Sequence, residues 1–168
     1  MEKKKPVSDA TSDSQESLEY LINKGEHFCQ QGMFEDAREL FQQALESNPQ
    51  NARVHNNLAI TLQNLGMTEE SLGHHRKAAE LMPADSLYQK NLADFLFAVK
   101  GQLHEAMEIY NQILTIDPDD IDALMGVGVI CRATKKDEDA RYFFEKILSL
   151  EPANRMAREQ LDLLSQIE

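Results

Sequence analysis

The chain has 168 residues, 42% of them hydrophobic, with 7 Gly, 5 Pro, no Trp and a formal net charge of −12. That is enough apolar material for the core of one domain of ordinary size. The acidic balance repels phosphate backbones and excludes nucleic acid as an expected partner.

Two cysteines without a CxxC pair make no disulfide framework, and no apolar run approaches a membrane span. The three N-terminal lysines are followed by no apolar stretch, so they do not open a secretory signal. The expected setting is cytoplasmic and reducing, without membrane attachment. Val, Ile and Thr are not enriched while Ala, Leu, Glu, Gln and Met are common, which favours helix over sheet.

Residues 1–16 are rich in Ser, Asp, Thr and Lys, and the expectation there is a disordered tail. From residue 17 onward the chain reads as one repeat domain, 17–168. Pro49, Pro83, Pro118 and Pro152 recur at a spacing of about one 34-residue unit. Two residues after each stands a capping side chain: Asn51, Asp85, Asp120 and Asn154. Proline stops one helix and Asn or Asp caps the next. A second break lies inside each unit, in QQGMFEDA, NLGMTEES, AVKGQLHEA and ATKKDEDA. Each unit is therefore a helix, a tight turn and a second helix, with an inserted residue near Lys100 and Gly101 widening the third turn.

Small residues mark the register: Gly25, Ala59, Ala93 and Gly128 in the first helices, Ala37, Ser71, Ala106 and Ala140 in the second. Between them Phe28, Leu62, Leu96 and Cys131, then Phe41, His75, Tyr110 and Phe144, recur at core spacing. Ala44, Ala78, Ile113 and Ile147 occupy one further core register. A last helix over 155–167 places Ala157, Leu161, Leu164 and Ile167 on one face, as the covering of a terminal repeat requires.

This pattern resembles the tetratricopeptide repeat family, carried by a small eighth residue, Ala or Ser twentieth, an aromatic twenty-fourth and proline thirty-second. The match covers four units, 18–51, 52–85, 86–120 and 121–154. His75 departs from the aromatic, and Lys24 stands where an apolar residue is usual. The resemblance implies an all-α, right-handed α-α superhelix with the first helix of each unit on a concave inner face.

By that resemblance the second, fifth, sixth, ninth, twelfth and thirteenth residues of each first helix face a groove. They are Glu19, Ile22, Asn23, Glu26, Cys29 and Gln30 in the first unit. The second unit supplies Arg53, Asn56, Asn57, Ile60, Gln63 and Asn64. The third supplies Leu87, Lys90, Asn91, Asp94, Phe97 and Ala98, and the fourth Asp122, Met125, Gly126, Val129, Arg132 and Ala133. Asn23, Asn57 and Asn91 share the sixth place, where Asn is a poor helix former and needs a reason. A primary amide can pair with both the C=O and the N–H of a peptide unit. The row is similar to the asparagine ladder in the repeat domains of O-linked N-acetylglucosamine transferases, which implies that these three hold peptide backbone. Gly126 ends the row.

Arg53, Lys90 and Arg132 are expected to read acidic side chains, and Glu26 and Asp94 basic ones. Phe97, Met125 and Val129 are expected to form an apolar anchor pocket. The chaperone-binding version of this fold clamps a terminal carboxylate with Lys and Arg at set places. The matching places here hold Ile22, Glu26, Asn57, Leu87 and Asn91, of which only Asn57 agrees, so that clamp is not expected. Adjacent His74 and His75 do not face each other, and no catalytic arrangement, phosphate loop, metal set or cofactor motif is evident. The expectation is a non-catalytic scaffold that binds a protein or peptide partner, as a monomer with weak dimerisation as the alternative. A small acidic secretion chaperone, or a regulatory module working with a separate enzyme, are the other readings of the same fold.

Overall fold

In the computed structural model, backbone is described from residue 9 to residue 165 and side chains from residue 17. The chain divides into two compact units, Met1–Met82 and Pro83–Glu168. The first holds α1 (Asp9–Gln30), α2 (Phe34–Ser47), α3 (Ala52–Asn64) and α4 (Thr68–Leu81). The second holds α5 (Ser86–Ala98), α6 (Leu103–Ile116), α7 (Ile121–Ala133), α8 (Asp137–Leu150) and α9 (Arg155–Ser165). Inside each unit consecutive helices pack on one another, and alternate helices also meet: α1 with α3, α5 with α7, and α7 with α9. The fold is all-α, as the helix-turn-helix spacing requires.

The punctuation read from sequence forms as expected. Asn51, Asp85, Asp120 and Asn154 each accept a hydrogen bond from a backbone N–H of the following helix, on Val54, Leu87, Ala123 and Ala157, at 2.9–3.1 Å. The preceding helices end at Ser47, Leu81, Ile116 and Leu150, each two residues before a proline. The turns within repeats 1, 2 and 4 close with a backbone bond spanning five residues, from Met33 to Phe28, Met67 to Leu62 and Lys136 to Cys131. In the third repeat the matching bond runs from Gln102 to Leu96, six residues back, which is the inserted residue made visible. Gly32, Gly66 and Gly101 take the left-handed conformation in these turns, and in the fourth repeat Lys135 takes it instead, at φ 60°.

The small residues and their neighbours form the core. All eight small-residue positions are buried, as are Phe41, His75, Tyr110 and Phe144. A Cβ on Gly25 or Gly128 would sit 2.7 or 2.6 Å from the ring of Phe41 or Phe144, so close helix approach is what fixes a small residue there. In unit 1, Ile22 joins Phe41, Val54, Leu58 and Leu62 in one cluster.

One terminal expectation differs in extent. The expected disordered tail, 1–16, lies partly outside the described residues, and its second half belongs to α1. Once the α1 helix exists, each residue added at its end gains a hydrogen bond without a new nucleus, which offsets a polar composition. The last helix buries Ala157 and Leu164 as expected, while Ile167 lies outside the described residues.

Candidate functional site

The inner face of unit 1 is made by α1 and α3, and it carries a shallow cleft of about 260 Å3 lined by Glu26, Cys29, Gln30, Phe41, Asn57 and Ile60. The centre of this face is the Glu26 carboxylate. Arg53 donates to both its oxygens, Nε to Oε1 at 2.9 Å and Nη2 to Oε2 at 2.8 Å. Such a two-pronged pair is the strong geometry for guanidinium and carboxylate. Arg53 also reaches Glu19 at 3.2 Å and the side-chain oxygen of Asn23 at 3.3 Å. Its hydrogen bond to Glu26 is the main reason its pKa lies above the ordinary arginine value. Asn57 donates from Nδ2 to Glu26 Oε1 at 2.7 Å. That bond fixes the amide and leaves Oδ1 as an acceptor in the cleft wall. Thr61 donates its hydroxyl to the Asn57 carbonyl, so at 3.2 Å the Cys29 thiol is the donor to Thr61.

The inner face of unit 2 is made by α5, α7 and α9, and its cleft is larger, about 460 Å3. Phe97, Met125 and Val129, the expected anchor pocket, all line it, joined by Leu87 from α5 and Met156 from α9. Asn91 and Asp94 line the same cleft. Lys90 is held by Asp122 at 2.9 Å and by the α7 cap Asp120 at 3.1 Å, and its side chain is only 17% exposed. Burial pulls the Lys90 ammonium down, and the bonds to Asp122 and Asp120 outweigh it, leaving its pKa above the ordinary value. Tyr110, on α6, is buried and donates its hydroxyl to Asp94. Burial, then the bond to Asp94, pushes the phenol well above its usual range, so the group is neutral throughout the physiological range.

Gly126 explains how Tyr110 reaches that place. A Cβ at Gly126 would overlap Tyr110 Cζ, so the ring occupies the space a side chain would need. The same three repeat positions are thus solved in two ways. In unit 1 they are Phe41, Asn57 and Glu26, with the carboxylate bound by an amide and an arginine. In unit 2 they are Tyr110, Gly126 and Asp94, with the carboxylate bound by a phenol. The gap in the asparagine row is filled by a hydroxyl from the second helix.

Most of the sequence-predicted residues reach an inner face, but not all are available there. Asn57 and Ile60 line the unit 1 cleft, with Asn23 exposed beside Arg53. Ile22 is fully buried and Asn56 is 6% exposed, so neither offers appreciable surface to a ligand. At the fifth position Ile22 lies in the unit 1 core and Lys90 reaches Asp120 and Asp122 at the start of the next inner helix of its unit, while Met125 lines the cleft. Arg53 and Lys90, expected to read acidic side chains, already face carboxylates of this chain. Arg132 is half-buried and lies outside the cleft lining. Met156 was not anticipated, because it sits on the polar side of a helix read only as a cover. Tyr110 was read as packing alone, and the paired signal was Gly for Asn at one place and Tyr for Phe at another.

Elsewhere, His55 donates from Nε2 to the Pro49 carbonyl at 3.0 Å, which leaves its Nδ1 to accept from His74 Nδ1 at 2.8 Å. Burial, then His55, lowers the His74 pKa, and burial with His74 lowers that of His75 to about 4. Among the described residues no group of three His, Cys, Asp or Glu side chains could hold a metal ion. No helix among them is long and apolar enough to cross a membrane.

Two tetratricopeptide repeat family models match the chain, over residues 14–82 and 96–120. Mouse protein O-mannosyl-transferase TMTC1 is 32% identical over 98 residues, which is 55% of this chain and 10% of that protein. This chain therefore spans about a tenth of that relative's length. A tetratricopeptide repeat protein from Parabacteroides merdae superposes with a TM-score of 0.79 at 25% identity, covering 89% of this chain and 59% of that one. YrrB, whose structure is described as that of a repeat protein with an unusual peptide-binding site, gives 0.73 at 22% identity, covering 84% and 73%.

Proposed function

From the premise that this chain belongs to the tetratricopeptide repeat family, we propose that it is a non-catalytic scaffold whose inner faces bind an extended segment of a partner protein. The observation that carries this reading is Asn57. Its N–H is anchored on Glu26 at 2.7 Å, so its remaining oxygen stands ready at a cleft wall to accept from a peptide N–H. Asn91 lines the unit 2 cleft from the equivalent place and supplies the second backbone contact, beside the apolar anchor pocket of Phe97, Met125 and Val129. Preformed amides on rigid helices bind backbone without the ordering cost of a mobile loop.

This reading selects against a chain-terminal carboxylate as the ligand. The places of a carboxylate clamp hold the buried Ile22, the acidic Glu26 and the apolar Leu87 rather than free cations. Selection of binders from a display library of random twelve-residue peptides against the full chain tests the proposal. Enriched peptides should lose about fivefold or more in affinity for Asn57→Ala and for Asn91→Ala, the worth of one hydrogen bond each. Failure to enrich any peptide, or binders indifferent to both substitutions, would refute it.

A further inference from the structure

The two inner faces differ in which group satisfies the carboxylate at the ninth position. In unit 1, Glu26 is neutralised by the arginine that grips both its oxygens. In unit 2, Asp94 is satisfied by the neutral Tyr110 hydroxyl, which orients the carboxylate and leaves its charge in place. The cation on that face, Lys90, is shared between Asp120 and Asp122, and so cannot also compensate Asp94. Among the residues lining this cleft, two carboxylates, Asp94 and Asp122, stand against one ammonium, Lys90, a net charge of about −1. Asp94 is exposed, and the Asp122 side chain is 76% exposed.

Beneath that rim the walls are apolar and open. Leu87 is 52% and Met156 61% exposed, and both lie with Phe97, Met125 and Val129 around a cleft of about 460 Å3, room for a large side chain and its neighbour. Met125 and Met156 are flexible thioethers that adapt to varied shapes. A segment filling this site must bring an apolar side chain for the walls and a positive charge for the rim.

We propose that the unit 2 cleft binds a basic peptide segment in which a large apolar residue lies next to Lys or Arg, the apolar chain resting on Phe97 and Met125 and the cation against Asp94 and Asp122. This deepens the peptide-binding reading and rests on it. The proposal makes the Tyr110–Gly126 arrangement a specificity device. The phenol holds a carboxylate in place without cancelling it, which an arginine would not do. An acidic segment would meet uncompensated like charge at the same rim.

The test uses the full chain and three fluorescein-labelled nine-residue peptides with a central Leu, flanked by Arg, by Ser or by Glu. Fluorescence anisotropy should give the order Arg, then Ser, then Glu, with the Arg peptide weakening as NaCl rises from about 50 to 500 mM. Asp94→Asn, which keeps an acceptor for Tyr110, and Asp122→Asn should each weaken the Arg peptide about fivefold and leave the Ser peptide unchanged. Met125→Ala should weaken the Arg and Ser peptides alike. Circular dichroism checks that each variant is folded. Equal binding of the three peptides, or an Arg peptide indifferent to both Asp substitutions, would overturn the basic-segment proposal. The scaffold reading stands in that case if library binders still depend on Asn57. Failure of every peptide, from the library and from this series, would overturn both.

Discussion

Asn57 donates an amide N–H to Glu26 at 2.7 Å, and the same carboxylate takes both prongs of Arg53. An asparagine in mid-helix is thereby held in one orientation by a charge from the neighbouring inner helix. The arginine side chain is 43% and the glutamate 34% exposed, so water screens the pair. A double-mutant cycle over Arg53→Ala and Glu26→Ala in urea denaturation should give a coupling of about 0.5–1 kcal/mol at physiological salt, reduced at high salt. A coupling indistinguishable from zero would mean that the pair does not order this face.

Gly126 should be intolerant of a side chain for a reason independent of backbone freedom. A methyl group there meets the buried Tyr110 ring. Gly126→Ala should therefore lower stability by about 1–3 kcal/mol, even though Ala is the better helix former. Tyr110→Phe keeps the ring and removes the donor, and should cost about 1 kcal/mol. A stabilised Gly126→Ala protein, seen as a raised denaturation midpoint, would show that Tyr110 can move aside.

His75 fills the place taken by Phe41, Tyr110 and Phe144 in the other repeats, and it is 2% exposed. Its pKa is lowered to about 4, by burial first and by adjacent His74 second. His74 in turn contacts His55 and lies near Glu70. A histidine with a depressed folded pKa contributes its full stability above the unfolded value near 6.5 and loses it as pH falls toward 4. Stability should drop by about 3 kcal/mol more over that window in the native chain than in His75→Phe. Urea titrations at half-unit pH steps decide this, and parallel profiles for the two proteins would contradict it.

Lys135 occupies a left-handed turn position that three other repeats give to glycine. Lys135→Gly should raise stability by about 0.5–1 kcal/mol, because relief of the Cβ clash exceeds the entropy that glycine adds to the unfolded chain. A lowered melting temperature would show that the lysine side chain makes a compensating contact.

The repeat architecture was open to reading because its signals are local. Prolines, capping side chains and small residues act within one turn or one helix pair, and all of them appear where their spacing places them. The inner faces were read less completely. The period of the repeat identifies which helix faces inward, but a position such as the fifth lies on the border between cleft and core. The packing of the next helix decides there, burying Ile22 and leaving Lys90 with its charged end on α7. Charge partners were missed for a similar reason. Arg53 and Glu26 stand 27 residues apart, and a list of inward-facing residues counts both as free for a ligand. The Tyr110–Asp94 bond needed two substitutions to be considered together, the hydroxyl at one repeat position and the missing Cβ at another.

Recognition of peptide backbone by Asn57 is tested most directly by changing the backbone and leaving every side chain in place. A library-selected peptide and a series of analogues, each with one backbone N–H replaced by an ester oxygen, would be titrated by calorimetry against the native chain and Asn57→Ala. One ester should weaken binding to the native chain about fivefold and have no effect on binding to Asn57→Ala, because the donor and acceptor removed are partners. Equal losses in both proteins at every ester position, or no loss at any, would contradict backbone recognition by Asn57.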